Sequence, residues 1–169
     1  NGLVRKEVAE MTVKRHNYVL VYLRKSISTK VLEAIRNLDE RFIVFGYAEP
    51  ELKEELERQG NFEFYLPSPV FVHYLAACKT VISTAGNQLM TEARYFGKPI
   101  IYIPEPGQHE QAINAAYAGS LGGIGLGDWC PAEQISERYL RMSLIKCSLR
   151  YRIPFSVPNG VDKVTEVIK

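Results

Sequence analysis

Thr80-Val81-Ile82-Ser83-Thr84-Ala85-Gly86-Asn87-Gln88-Leu89-Met90 opens on a short run rich in β-branched residues and passes through a glycine into a segment of different period. A run that does not alternate apolar with polar is how a strand covered on both faces of a parallel sheet reads. Leu89, Met90, Ala93 and Phe96 then recur at helical spacing. Strand, glycine turn, helix is the local unit, and the surrounding chain repeats it.

Residues 18–23, 42–45 and 100–103 are similar runs, and 62–66 and 122–126 read as two further strands. Between them lie helical patterns: Val31, Leu32, Ile35 and Leu38 on one face, then Leu52 and Leu56. Pro50 stands at a helix start with Glu51, Glu54 and Glu55 near the positive end of the dipole, and Gly60 stands where a C-terminal cap belongs. Gly97 and Gly119 close two later helices in the same way, and Val161, Val164 and Ile168 mark a final amphipathic helix from Asn159 onward. The expected fold class is α/β: a doubly wound parallel sheet, Rossmann-like. Ligands of such a sheet bind beyond the carboxyl ends of the strands, so the strand-to-helix loops are where function is sought.

Composition narrows the classes. The chain has 169 residues, about one domain's worth, with 46% hydrophobic and 24% charged residues, which excludes a disordered or fibrous chain. A net charge of +2 is too small for a domain whose affinity comes from neutralising many phosphates, so no nucleic acid partner is expected. No apolar stretch approaches the ~20 residues that span a bilayer. Cys78, Cys130 and Cys147 show no C-x-x-C spacing, and Cys78 and Cys147 read as small buried hydrophobes in a cytoplasmic, reducing setting. His16 and His73 stand alone, no cluster has metal-ligand spacing, and no metal is expected.

The loop Ala85, Gly86, Asn87, Gln88, Leu89 offers backbone N–H groups and a helix dipole to a phosphate or diphosphate, and a glycine lets oxygens approach the chain. The alternative is that Ser83, Thr84 and Asn87 only cap and turn the chain. Glu92, six residues on, sits among apolar helix positions, where a carboxylate is costly unless something bonds it. It either faces the crevice and accepts ribose hydroxyls or is a solvated helix residue. After the strand at 100–103 comes Pro104-Glu105-Pro106-Gly107-Gln108-His109-Glu110-Gln111, whose amides and carboxylates suit sugar hydroxyls or, alternatively, cap the next helix. His109 reads as a binding or structural histidine, because no nucleophile motif accompanies it.

Other signals fail. Gly122 to Gly127 does not match G-x-G-x-x-G, and no G-x-x-x-x-G-K-[ST] loop exists. Arg138, Arg141, Lys146, Arg150 and Arg152, interleaved with Tyr139, Met142 and Ile145, form a basic amphipathic stretch that either rests on anionic lipid or is a solvated helix face.

Taken together, Ile82-Ser83-Thr84-Ala85-Gly86, Glu92-Ala93, Gly97-Lys98-Pro99, Ile103-Pro104 and His109-Glu110-Gln111 with Asn114-Ala115 resemble the C-terminal, donor-binding half of GT-B glycosyltransferases, closest to family 28, that of the bacterial UDP-GlcNAc transferase acting on lipid I. The resemblance implies that residues 85–89 bind the diphosphate of a UDP-sugar, Glu92 the ribose, and Glu110 and Gln111, beside His109, the sugar. It also implies that backbone near Tyr65 and Leu66 meets the base. Residues 1–8 look like the family's interdomain connection. This places a linker and entry helix at 1–17, the nucleotide-sugar domain at 18–158 and a C-terminal helix at 159–169. The general base of these inverting enzymes then belongs to an N-terminal acceptor-binding domain, supplied in cis or by a partner subunit. No catalytic residue is expected in this chain, which should bind donor but transfer slowly or not at all.

One departure from the family is the loop after the first strand. Where the family often has glycines, this chain has Leu23-Arg24-Lys25-Ser26-Ile27-Ser28, leaving Arg24, Lys25 or Ser26 to meet the phosphates. The expected function is donor binding in an inverting, metal-independent transferase without a cofactor beyond the UDP-sugar substrate. The alternatives are a stand-alone nucleotide-sugar-binding subunit working with a partner chain, or a sugar-nucleotide epimerase of the same fold. The expected setting is cytoplasmic, with the basic stretch as a candidate for peripheral membrane contact.

Overall fold

The computed structural model describes residues 4–84, 86–120 and 127–150, and at 117–120, 127 and 150 the backbone alone. The element order is α1 (Lys6–Ala9), β1 (Val19–Leu23), α2 (Lys25–Ile35), β2 (Phe42–Gly46), α3 (Pro50–Gln59), β3 (Phe62–Tyr65), α4 (Phe71–Ala77), β4 (Thr80–Ser83), α5 (Asn87–Tyr95), β5 (Ile100–Tyr102), α6 (His109–Ser120), β6 (Gly127–Trp129) and α7 (Glu137–Arg150). The strands form one sheet in the order β3-β2-β1-β4-β5-β6, and every pair is parallel. This is the doubly wound α/β arrangement expected from the apolar runs. Its order reverses between β1 and β4, whose last paired residues are Tyr22 and Ser83.

The runs do not alternate in polarity because both faces of the sheet are covered. Val19, Val21 and Leu23 of β1 face a layer of α2, α3 and α7, packing with Val31, Leu56 and Leu144. Leu20 faces the opposite layer of α1, α4, α5 and α6 with Val8, Leu75, Ala93 and Ala115. The inner strands β1, β2, β4 and β5 therefore contribute to two cores on alternate residues, which calls for apolar side chains at most of their positions.

Helix punctuation follows the sequence signals. Pro50 occupies the first turn of α3, and Gly60 ends it in the left-handed region at φ 81°, its N–H donating to the Glu57 carbonyl at 3.0 Å. Gly97 follows α5. Gly119, by contrast, lies inside the last turn of α6, which continues to Ser120. The boundary differs by the one or two residues over which helix ends fray.

The strand expected at 122–126, the helix expected from Asn159, and residues 1–3 of the linker lie outside the described residues. The edge strand β6 begins at Gly127, just after the expected one. Val4 and Val8 of the entry segment are buried in the α4–α5 layer. Cys78, Cys130 and Cys147 are buried and in no disulfide, as expected for two of them, and burial pushes the thiols of Cys78 and Cys130 up to about 12. Lys98 is fully buried; its Nζ donates to the Lys14 carbonyl at 2.8 Å, and loss of water pushes its pKa down to about 8. Among the described residues no helix is long and apolar enough to cross a membrane.

Candidate functional site

At the order reversal the chain leaves β1 toward one layer and β4 toward the other, because α2 packs on one face of the sheet and α5 on its opposite. The loops diverge and a crevice opens between them. An open cleft of about 600 Å³ occupies this place. Tyr22 and Arg24 come from β1 and its exit, Pro67 to Pro69 and Phe71 from the β3–α4 connection, Gly86 to Leu89 and Glu92 from α5, Glu110 from α6, and Arg5 from the entry segment.

The turn into α5 is held from below. Ser83, 1% exposed, donates its hydroxyl to the Tyr22 carbonyl at 2.8 Å and so ties β4 to β1 at their ends. Gly86 is the N-cap of α5, at φ −76° and ψ 131°, and its N–H donates to the Thr84 carbonyl at 2.8 Å. A glycine has no side chain with which to cap, so the first turn of α5 meets the cleft without one. A Cβ built at Gly86 has no atom within 4 Å. Open space lies in front of this turn, as an approaching ligand requires. Ala85 lies outside the described residues.

Glu92 is 2% exposed yet borders the cleft. The cost of burying it is met by Arg5, whose Nε donates to Oε1 at 2.7 Å and Nη2 to Oε2 at 3.2 Å. Gln88 Nε2 adds a third donor to Oε1 at 3.1 Å. The carboxylate in turn raises the pKa of Arg5 by hydrogen bonding to its charged form. Asn87 Nδ2 donates to Glu110 Oε1 at 2.9 Å, joining the starts of α5 and α6.

Of the remaining sequence candidates, all but Arg24 fall outside the cleft. Gln111, 7% exposed, is turned onto the loop before it: its Oε1 accepts the Glu105 N–H at 2.9 Å and its Nε2 donates to Glu105 Oε1 at 3.0 Å. Its amide therefore braces the 104–108 loop. His109 is exposed at the first position of α6 and is not part of the cleft wall. Leu66 is 82% exposed just past β3, beside the cleft residues Pro67 to Pro69. Of the three residues after β1, Arg24 alone borders the cleft, pairing with Glu105 at 3.4 Å. Lys25 Nζ lies 4.4 Å above the Tyr47 ring. Ser26 donates to Glu105 and lines a separate recess with Lys30 and Pro106, because α2 begins at Lys25 and carries Ser26 away.

Arg5, Tyr22 and Phe71 are among the cleft residues that the sequence did not single out. Arg5 reaches Glu92 across 87 positions, a contact with no local signature. Tyr22 lies inside an apolar run, yet it is 36% exposed with its ring 4.9 Å from that of Phe71. The signal available for both aromatics was their position at a strand's carboxyl end or just after one.

Elsewhere, the basic stretch is α7, which buries Leu140, Leu144 and Cys147. Arg141 pairs with Glu137 at 2.7 Å and Lys146 with Asp128 at 3.2 Å, so two of its cations are locally balanced. Among the described residues no group of three or more His, Cys, Asp or Glu is arranged to hold a metal ion.

Residues 1–147 match the sequence profile of glycosyl transferase family 1. Comparison with characterised protein sequences finds no match. Among solved structures, MurG of Acinetobacter baumannii superposes with a TM-score of 0.59 at 17% identity, over 98% of this chain and 52% of that one. A Medicago truncatula UGT complexed with UDP-glucose gives 0.59 at 16% identity, over 90% of this chain and 39% of that one. The glycosyltransferase SnogD from Streptomyces nogalater gives 0.57 at 13% identity, over 100% and 46%. At these identities the likeness is one of fold, that of the GT-B glycosyltransferases, and the chain spans about half the length of these proteins or less.

Proposed function

Because the chain belongs to glycosyl transferase family 1, we propose that it is the donor-binding half of a glycosyltransferase that takes its sugar from a UDP-sugar. The observation that carries this reading is the open space before Gly86 at the uncapped start of α5, at the order reversal of the sheet. A diphosphate seated there meets the positive end of a helix dipole and the guanidinium of Arg24 on the opposite wall. Glu92 stands one turn deeper, at the place for a ribose, and Glu110 borders the cleft where sugar hydroxyls would reach. Pro67 to Pro69 close the end next to Leu66, where the base is proposed to lie against backbone.

The mechanism we infer is inverting and metal-independent. The acceptor oxygen attacks the anomeric carbon from the face opposite the diphosphate, and the bond to the diphosphate breaks with its electron pair. The helix start and Arg24 stabilise the charge that develops on the departing UDP. The base that takes the acceptor's proton is assigned to an acceptor-binding half, in the same polypeptide or in a partner subunit. The finer kinship with family 28 rests on the order of Ser83 to Gly86, Glu92, Gly97 to Pro99 and His109 to Gln111. A cytoplasmic setting fits three cysteines that form no disulfide. The exposed Met142, Ile145 and Leu149 of α7, beside Arg138, are the surface proposed for peripheral membrane contact.

Calorimetric titration of UDP into the 169-residue chain, with ADP as the control nucleotide and Glu92→Ala as the control variant, tests the reading. UDP is expected to bind, ADP to bind more weakly, and the variant to lose about 1–3 kcal/mol, the range for hydrogen bonds to a charged group. Equal binding of both nucleotides, or an unaffected variant, counts against the site.

A further inference from the structure

The acceptor capacity of Glu92 is nearly spent before any ligand arrives. A carboxylate offers about four lone-pair positions, two on each oxygen. Oε1 already accepts from Arg5 Nε and from Gln88 Nε2, and Oε2 accepts from Arg5 Nη2. Among the described donors, three positions are therefore filled and one remains, on Oε2. A ribose presents two vicinal hydroxyls. Both cannot donate to Glu92 unless one present partner leaves.

The two partners differ in how hard they are to displace. Arg5 makes a two-pronged, charge-assisted contact with a carboxylate that is 3% exposed. Removing it would leave a buried charge unpaired, at high cost. The segment that carries it is also fastened to the same layer, through buried Val4 and Val8 and through the Tyr95 hydroxyl donating to the Ala9 carbonyl at 3.2 Å. Gln88 makes one neutral-donor bond at 3.1 Å from an exposed side chain that borders the cleft. Released, its amide regains water at once.

We propose that Gln88 is a removable plug on Glu92, displaced by one ribose hydroxyl, and that Arg5 is the positioning residue that holds Glu92 in place throughout. The proposal rests on the nucleotide reading above and adds to it how the site discriminates: a ribonucleotide must expel Gln88, whereas a nucleotide with a single ribose hydroxyl can use the vacant position on Oε2 and leave the plug seated.

The test is a calorimetric titration of UDP and of 2′-deoxy-UDP into the wild-type chain and into Gln88→Ala, Arg5→Ala and Arg5→Lys. Gln88→Ala is expected to tighten UDP by about 3- to 10-fold, the value of one modest hydrogen bond that no longer needs breaking, and to leave 2′-deoxy-UDP unchanged. Arg5→Ala should weaken both nucleotides by about 10-fold or more, with Arg5→Lys between it and wild type because a lysine keeps the charge but loses the two-pronged geometry. Gln88→Ala that weakens UDP, or that shifts both nucleotides equally, overturns the plug. Arg5→Ala that tightens UDP makes Arg5 the competitor and overturns its positioning role. UDP and 2′-deoxy-UDP binding equally to Gln88→Ala, in which positions for both ribose hydroxyls are open on Glu92, removes the ribose from Glu92 and overturns the proposal while the phosphate site survives. Failure of the wild-type chain to bind either nucleotide overturns the nucleotide reading and this proposal with it.

Discussion

Asn87 donates its side-chain amide to the carboxylate of Glu110 at 2.9 Å, so the first residue of α5 is latched to the first turn of α6 across 23 positions of sequence. The latch sets the width of the cleft between two helix starts. It also places Glu110 in a helix first turn, where an acidic residue is favoured by the dipole.

Asn87→Asp exchanges the donor for a second carboxylate at hydrogen-bonding distance from the first. Both groups face solvent, so the expected loss of stability is modest, about 0.5–1 kcal/mol. Because the new interaction is a repulsion between exposed charges, salt at about 0.5 M should recover most of the loss, whereas Asn87→Ala should show no such recovery. Urea denaturation at low and high salt reads this directly.

Gly86→Ala separates folding from binding. The backbone at Gly86 is in a region any residue adopts, and the added methyl meets nothing within 4 Å. Stability should therefore change by less than about 1 kcal/mol. UDP affinity should fall about tenfold, since the methyl stands where phosphate oxygens approach. Unchanged affinity in a folded variant would remove the diphosphate from this turn.

Gly46→Ala is expected to do the opposite. Gly46 ends β2 at φ 130°, and a Cβ there would lie 2.7 Å from the Leu23 carbonyl oxygen, a backbone atom that cannot swing aside. The cost should be about 2–3 kcal/mol, a fall of roughly 5–10 °C in Tm for a domain of this size. Thermal unfolding followed by circular dichroism measures it.

Lys98 makes stability depend on pH with a defined sign. Its folded-state pKa is lowered from 10.5 to about 8 by burial. Above the folded value the unfolded chain holds the extra proton, so stability rises as pH increases through about 8 and the penalty for burying the charge fades. Between pH 7 and pH 8.5 the gain should be at most about 1 kcal/mol when read as the difference between wild type and Lys98→Met, because ionisation of Cys78 and Cys130 in the unfolded chain lowers the stability of both proteins alike. An equal dependence on pH in the two proteins would assign it to another group.

The parallel sheet was legible because two-sided burial leaves a mark in consecutive residues: 42–45 and 100–102 must be apolar at every position to serve two cores. Pro50 and Gly60 likewise report backbone geometry that only a few residue types accept. The turn at Gly86 was legible for the same local reason, whereas the burial of Glu92 was left open between a crevice and a solvated face until Arg5 was placed against it. Ser26 and Gln111 were expected to meet ligand and instead serve Glu105, because a hydrogen-bonding side chain carries no sign of which partner it will find. Arg5 was invisible as a site residue, since nothing near it in sequence refers to Glu92.

The sequence alone therefore determined the layers and the strand-to-helix loops, both of which depend on period and on residues with restricted backbones. Which of the loop side chains line the cleft, and which are used up bracing it, was decided only when the β1–β4 reversal brought residues 5, 24, 86 to 89, 92 and 110 to one place. Hydrogen-bond donors and acceptors are interchangeable until distance and burial select their partners, and those are properties of the folded chain.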